Sequence, residues 1–140
     1  GNPTANFIYK NHQDIEDCNS TTIKKKYWNC GGINLGLKKT EQEILHLSSA
    51  ARNYGSEFYI IIMPWPDTLN FGQKTFNWEN YASNLCKKSS CDGVINLFSE
   101  FENIKLKEIN WLEKLYLKDD IHLTPLANKI VAEKIINESF

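Results

Sequence analysis

Two carboxylates and an imidazole fall within four residues at Asp119-Asp120-Ile121-His122. The chemistry open to such a group is proton transfer. Asp119 and His122 are three residues apart, and in a turn that spacing brings a carboxylate to the Nδ1–H of the imidazole. The carboxylate then fixes the tautomer and stabilises the imidazolium as it forms, while Nε2 stays free to take a proton from a hydroxyl nucleophile. On this reading Asp119 orients, His122 is the base, and Asp120 points elsewhere. A solvated turn is the competing reading, because acidic residues ahead of a helix also suit the positive end of its dipole. His12, in the polar start of the chain, and His46, inside a helical pattern, are read as solvated or structural.

Elements on both sides must hold this tetrad. After it, Thr124 is a good N-cap and Pro125 suits the first helical turn, where its missing N–H costs nothing. Leu126, Ile130, Val131, Ile135 and Ile136 are expected to form one apolar face. Before it, Lys114 to Leu117 is expected to be a short strand. Further upstream, Phe58 to Met63 is a continuous apolar run, the pattern of a strand covered on both faces. Pro64-Trp65-Pro66-Asp67 ends it, since neither proline can donate to a ladder. Gly93 to Phe98 predicts a second buried strand. A helix is expected from Leu35 to a stop at Gly55, with Leu37, Ile44, Leu45, Leu47 and Ala51 on one face. Another is expected over Asn77 to Lys87, capped by Asn77, with Trp78, Tyr81, Ala82 and Leu85 as its stripe. Residues 99–113 are expected to be helical in part. Gly31, Gly32 and Gly36 mark a turn or a close backbone approach.

Alternation of strand and helix predicts an α/β class: three layers, with a mainly parallel sheet flanked by helices. Residues 1–140 form a single domain or the C-terminal portion of one, with 1–26 peripheral. In open parallel sheets ligands bind at the carboxyl ends of strands, so the loop carrying the tetrad sits where chemistry occurs.

The chain has 140 residues, enough to bury a core without staples. A formal net charge of −1 leaves no electrostatic footprint for DNA or RNA, and Lys24 to Lys26 is read as a solvated loop. No apolar stretch approaches the roughly 20 residues of a membrane span. Gly1-Asn2-Pro3-Thr4 has no initiator methionine and no signal peptide is visible, which leads us to expect a processed or partial chain. Four cysteines allow three connectivities, and sequence alone does not choose among them. Cys86 and Cys91 could close a small loop, and Cys18 could reach Cys30. Two disulfides would mean an oxidising, extracytoplasmic compartment: periplasm, exterior or endomembrane lumen. Four buried thiols are the alternative. Without a Cys-x-x-Cys pair a zinc site is disfavoured, and neither metal nor cofactor is expected. Asn19-Ser20-Thr21 and Asn137-Glu138-Ser139 match a glycosylation pattern that is common by chance.

Asp119-x-x-His122 followed by Leu123-Thr124-Pro125-Leu126-Ala127-Asn128 and an apolar helix resembles the last conserved block of the SGNH (GDSL-type) hydrolases. Tyr59 to Met63 followed by Pro64-Trp65-Pro66 is similar to the post-strand segment of a subgroup with a Pro-Trp-Pro motif. Tyr27-Trp28-Asn29-Cys30-Gly31-Gly32, Gly36-Leu37 and the Cys86–Cys91 pair fit that subgroup loosely. The resemblance spans about Tyr27 to Lys134. It implies a flavodoxin-like sheet, an ester substrate, often a glycan O-acetyl group, and Asp119 and His122 as two triad members. Trp65, near the strand's carboxyl end, is expected to contact a sugar or acyl chain or else to pack in the core. The nucleophilic Ser of Gly-Asp-Ser is not found, nor are the oxyanion-hole Gly and the Gly-x-Asn-Asp block. Ser20, Ser48, Ser49 and Ser56 are poor stand-ins, and Gly32-Ile33-Asn34 matches that last block only superficially. The expectation is therefore a serine esterase completed by an N-terminal segment of the same domain. The alternatives are an acyltransferase-type domain and a non-catalytic glycan-binding or structural relative.

Overall fold

The computed structural model describes residues 32–74 and 76–139. Eight elements follow in order. Helix α1 is Gly32–Asn53, strand β1 Tyr59–Ile62, helix α2 Pro66–Phe71 and helix α3 Trp78–Ser89. Strand β2 is Gly93–Asn96, helix α4 Phe98–Lys107, helix α5 Trp111–Leu115 and helix α6 Pro125–Ser139.

The two strands are parallel and in register, Tyr59 opposite Gly93 and Ile62 opposite Asn96. Each face of this ribbon has its own apolar cluster. On one face Ile60 packs with Ala82 and Leu85 of α3, joined by Ile44 of α1 and by Phe58, Ile62 and Val94. On the other, Ile95 and Leu97 meet Phe101 of α4, Leu115 of α5 and Ala127 of α6. Strand alternation sends successive residues to opposite faces, which is how four-residue strands serve two clusters. Each fully buried side chain of the Phe101 or Leu115 kind contributes about 1.5–3 kcal/mol.

This corrects the expected three-layer, mainly parallel sheet. Among the described residues there are two strands, and helices dominate. Lys114 to Leu117 is not a strand. Lys114 and Leu115 are the last residues of α5, and Tyr116 makes only an isolated bridge. The reason is reach: Trp111 and Leu115 lie four apart, so one helical turn brings both to the same cluster, whereas extended backbone would hold them about 13 Å apart. Leu97 and Phe98, expected at the end of β2, instead open α4, where Asn96 Oδ1 accepts from Phe98 N at 3.0 Å.

The long helices lie near where their patterns place them, with some faces revised. Asn77 caps α3 by accepting from Asn80 N at 2.8 Å. In α1, Ile44 is packed, but Leu45 and Leu47 are exposed; buried Ser48 holds the face, donating to Ser89 O at 2.7 Å. In α6, Ile130, Val131 and Ile135 pack, while Leu126 and Ile136 are exposed. Gly32 and Gly36 lie within α1 rather than in a turn.

Candidate functional site

Residues 117–122 form the tip of a small hairpin. Tyr116 and Leu123 pair antiparallel at its base. Leu117 N donates to His122 O at 2.8 Å, and Thr124 N to Leu115 O at 3.0 Å. Within the tip, Asp120 N donates to Leu117 O at 3.0 Å, closing a turn whose third residue, Asp119, has φ 58°. Asp tolerates this left-handed conformation better than most residues. Thr124 fixes the hairpin to its neighbours: its Oγ1 accepts from Ala127 N at 3.2 Å, as an N-cap should, and donates to Lys114 O.

Asp120, not Asp119, holds the imidazole. Its Oδ1 lies 2.7 Å from His122 Nδ1 and accepts from the backbone N–H of Ile121 (2.6 Å) and His122 (3.2 Å). This is an Asx-type turn, in which a carboxylate reaches the N–H two residues on. It places the same oxygen beside that residue's ring, so a separation of two works where three was expected. Among the described residues no hydrogen bond joins Asp119 to His122. The hydrogen bond from His122 Nδ1, then those from the two backbone N–H groups, hold the Asp120 carboxyl below the usual aspartate range. An ionised carboxylate only accepts, so Nδ1 carries the hydrogen and Nε2 of the neutral ring is the basic nitrogen. The His122 side chain is 75% exposed, so Nε2 is open to a reactant.

Beside the tip lies a groove of about 330 Å³, at the small end of the range for ligand sites. Trp65 and Pro66 form one wall, the 117–121 segment the other, and Leu112 and Tyr116 lie between. Trp65 is half exposed. Four carboxylates line the groove, Asp67, Glu113, Asp119 and Asp120, against one cation, Lys118. Among the described residues no serine, threonine or cysteine lines it. A wider depression of about 480 Å³ runs along α1, lined by Leu37, Lys38, Glu41 and Leu45.

One polar constellation carried no signal in the sequence. Glu79 of α3 accepts from Gln73 Nε2 at 2.6 Å and from Asn96 Nδ2 at 2.5 Å, at the carboxyl end of β2. Three polar residues spread over 24 positions share no motif. Ser48 is buried under α3 and His46 lies exposed on α1, so neither belongs to the groove. Cys86 and Cys91 are joined as a disulfide with Cα atoms 4.9 Å apart, bridging the end of α3 to the start of β2. Cys18, Cys30, Ser20 and His12 lie outside the described residues. Among the described residues no group of three potential ligands could hold a metal ion. Comparison with protein-family models, curated proteins and solved structures gives no match to this chain.

Proposed function

We propose that this chain supplies the general-base half of an SGNH-type ester hydrolase site. The observation that carries the reading is the 2.7 Å contact between Asp120 Oδ1 and Nδ1 of the exposed His122; Asp120, though not His122, lines a groove walled by Trp65. His122 Nε2 takes the proton from an attacking hydroxyl and later returns it to the leaving alcohol. Asp120 takes the orienting role that the sequence pattern gives to Asp119. The nucleophilic serine comes from a segment outside the described residues, because among those residues no serine lines the groove. The substrate is a small acyl ester on a sugar, with Trp65 against the sugar or acyl face. The four groove carboxylates favour an uncharged carrier over an anionic one. The Cys86–Cys91 bridge supports an extracytoplasmic setting for this activity.

The test is cleavage of p-nitrophenyl acetate by the full-length product of the coding sequence. Activity that falls by about 10²–10⁴ in His122→Ala supports the reading. An unchanged rate removes His122 from the chemistry, and no activity in the full-length product makes the chain a binding module.

A further inference from the structure

We infer that Tyr116 is a positioning residue that sets the distance between the two walls of the groove. The inference deepens the hydrolase reading and rests on it for its functional meaning. The geometry behind it stands alone. Tyr116 is 3% exposed, and its Oη donates to Pro64 O at 2.6 Å across 52 residues of sequence. Pro64 is itself fully buried and adjoins Trp65, the first wall. From the same residue, the backbone pairs with Leu123 and runs directly into Leu117, whose N–H closes the His122 hairpin. A single side chain thus joins the Pro-Trp-Pro segment to the hairpin that carries Asp120 and His122.

The rest of the surroundings make that bond the adjustable link. Trp65 O accepts from Leu69 N at 2.9 Å, so the first wall moves with α2. The far end of α2 is held by Lys105, which donates to Leu69 O at 2.7 Å and to Asn70 O at 3.3 Å. The Tyr116 ring packs edge-on to Phe101, 6.2 Å between centroids, which fixes where its hydroxyl points. Pro64 O has no ladder partner, since β1 ends at Ile62, and losing the phenol would leave a buried carbonyl unpaired.

Tyr116→Phe keeps the ring and removes only the bond. Amide exchange under native conditions reads both walls: Leu69 N–H for the Trp65 wall and Leu117 N–H for the hairpin. In Tyr116→Phe both should exchange about tenfold faster, the loss of roughly one buried hydrogen bond. The ring signals of His122 and the indole N–H of Trp65 should shift together while the ring of His46, on α1, stays in place. Acceleration of one amide alone, or an unmoved His122 ring, overturns the inference. If Tyr116→Phe does not fold, exchange in the unmodified protein under low denaturant decides. Equal opening free energies for Leu69 and Leu117 support the link, and clearly different ones overturn it. None of these readings needs esterase activity, so the link can stand even where the hydrolase reading falls.

Discussion

Asp120 and Asp119 differ by one position in sequence and by their whole role in the structure. The pattern Asp-x-x-His made Asp119 the natural partner for His122. The turn reverses this, because Asp119 takes up the left-handed position and Asp120 becomes the residue whose carboxylate faces forward along the chain. Composition and spacing could locate the tetrad but not choose between its two carboxylates, since a φ of 58° at Asp119 is a property of the folded hairpin. The expected outcome is asymmetric. Asp120→Asn should lower esterase turnover of the full-length product by about 10²–10⁴, as loss of an orienting carboxylate does. Asp119→Asn should change turnover less than about tenfold, with steady-state kinetics as the check. The groove's charge gives a second outcome at this scale. An acetylated neutral sugar should be cleaved with higher kcat/KM than the same ester on a uronate, and the gap should narrow as salt screens the carboxylates.

At the level of elements, local signals were legible and long-range partners were not. Ile-rich β1 and the caps of α3 and α6 followed from run length, proline placement and Asn or Thr at the right offset. Lys114 to Leu117 was misjudged because four apolar-rich residues satisfy both strand and helix patterns, and contact with the core decided between them. The Ser48 bond was invisible because its partner is a backbone carbonyl 41 residues away. Ser48→Ala would leave the buried Ser89 carbonyl unpaired and should cost about 1–3 kcal/mol in chemical denaturation. The Cys86–Cys91 bridge closes a short loop between α3 and β2. Replacing both cysteines by serine should cost about 2 kcal/mol, by the chain-entropy estimate for so small a loop. A midpoint identical to that of the unmodified protein would show that the bridge does not constrain the unfolded chain.

Across the whole molecule, long-range side-chain ties join the helices, Tyr116 to Pro64 and Lys105 to α2 among them. Another is Lys134 of α6, 2.7 Å from Glu100 of α4 and 2.8 Å from Glu138. Burial alone would raise the Glu100 carboxyl, but hydrogen bonds from Lys134 and Ser99 outweigh it and hold it below the usual range. Hydrogen bonds to Glu100 and then Glu138 raise Lys134. The signs set a pH window. A depressed carboxyl contributes stability above its unfolded value of about 4.3, lost as pH falls through the folded value. A raised lysine contributes below about 10.4, lost as pH rises through its folded value. Lys134→Met should therefore lower the thermal midpoint at neutral pH and converge with the unmodified protein in strong acid. Fold class was the least legible property at this scale. Two apolar runs suggested a sheet, but the number of strands depends on which segments pair, and among the described residues only β1 and β2 do. Among those residues no helix is long and apolar enough to cross a membrane.

The tautomer of the neutral His122 ring reports directly on whether Asp120 holds it with Nε2 free. Long-range ¹H–¹⁵N correlation spectra of the neutral ring should show the Nδ1–H form. That form should persist in Asp119→Asn and give way to a mixture in Asp120→Asn. A neutral ring protonated at Nε2, or one that responds to Asp119→Asn and not to Asp120→Asn, would contradict the account.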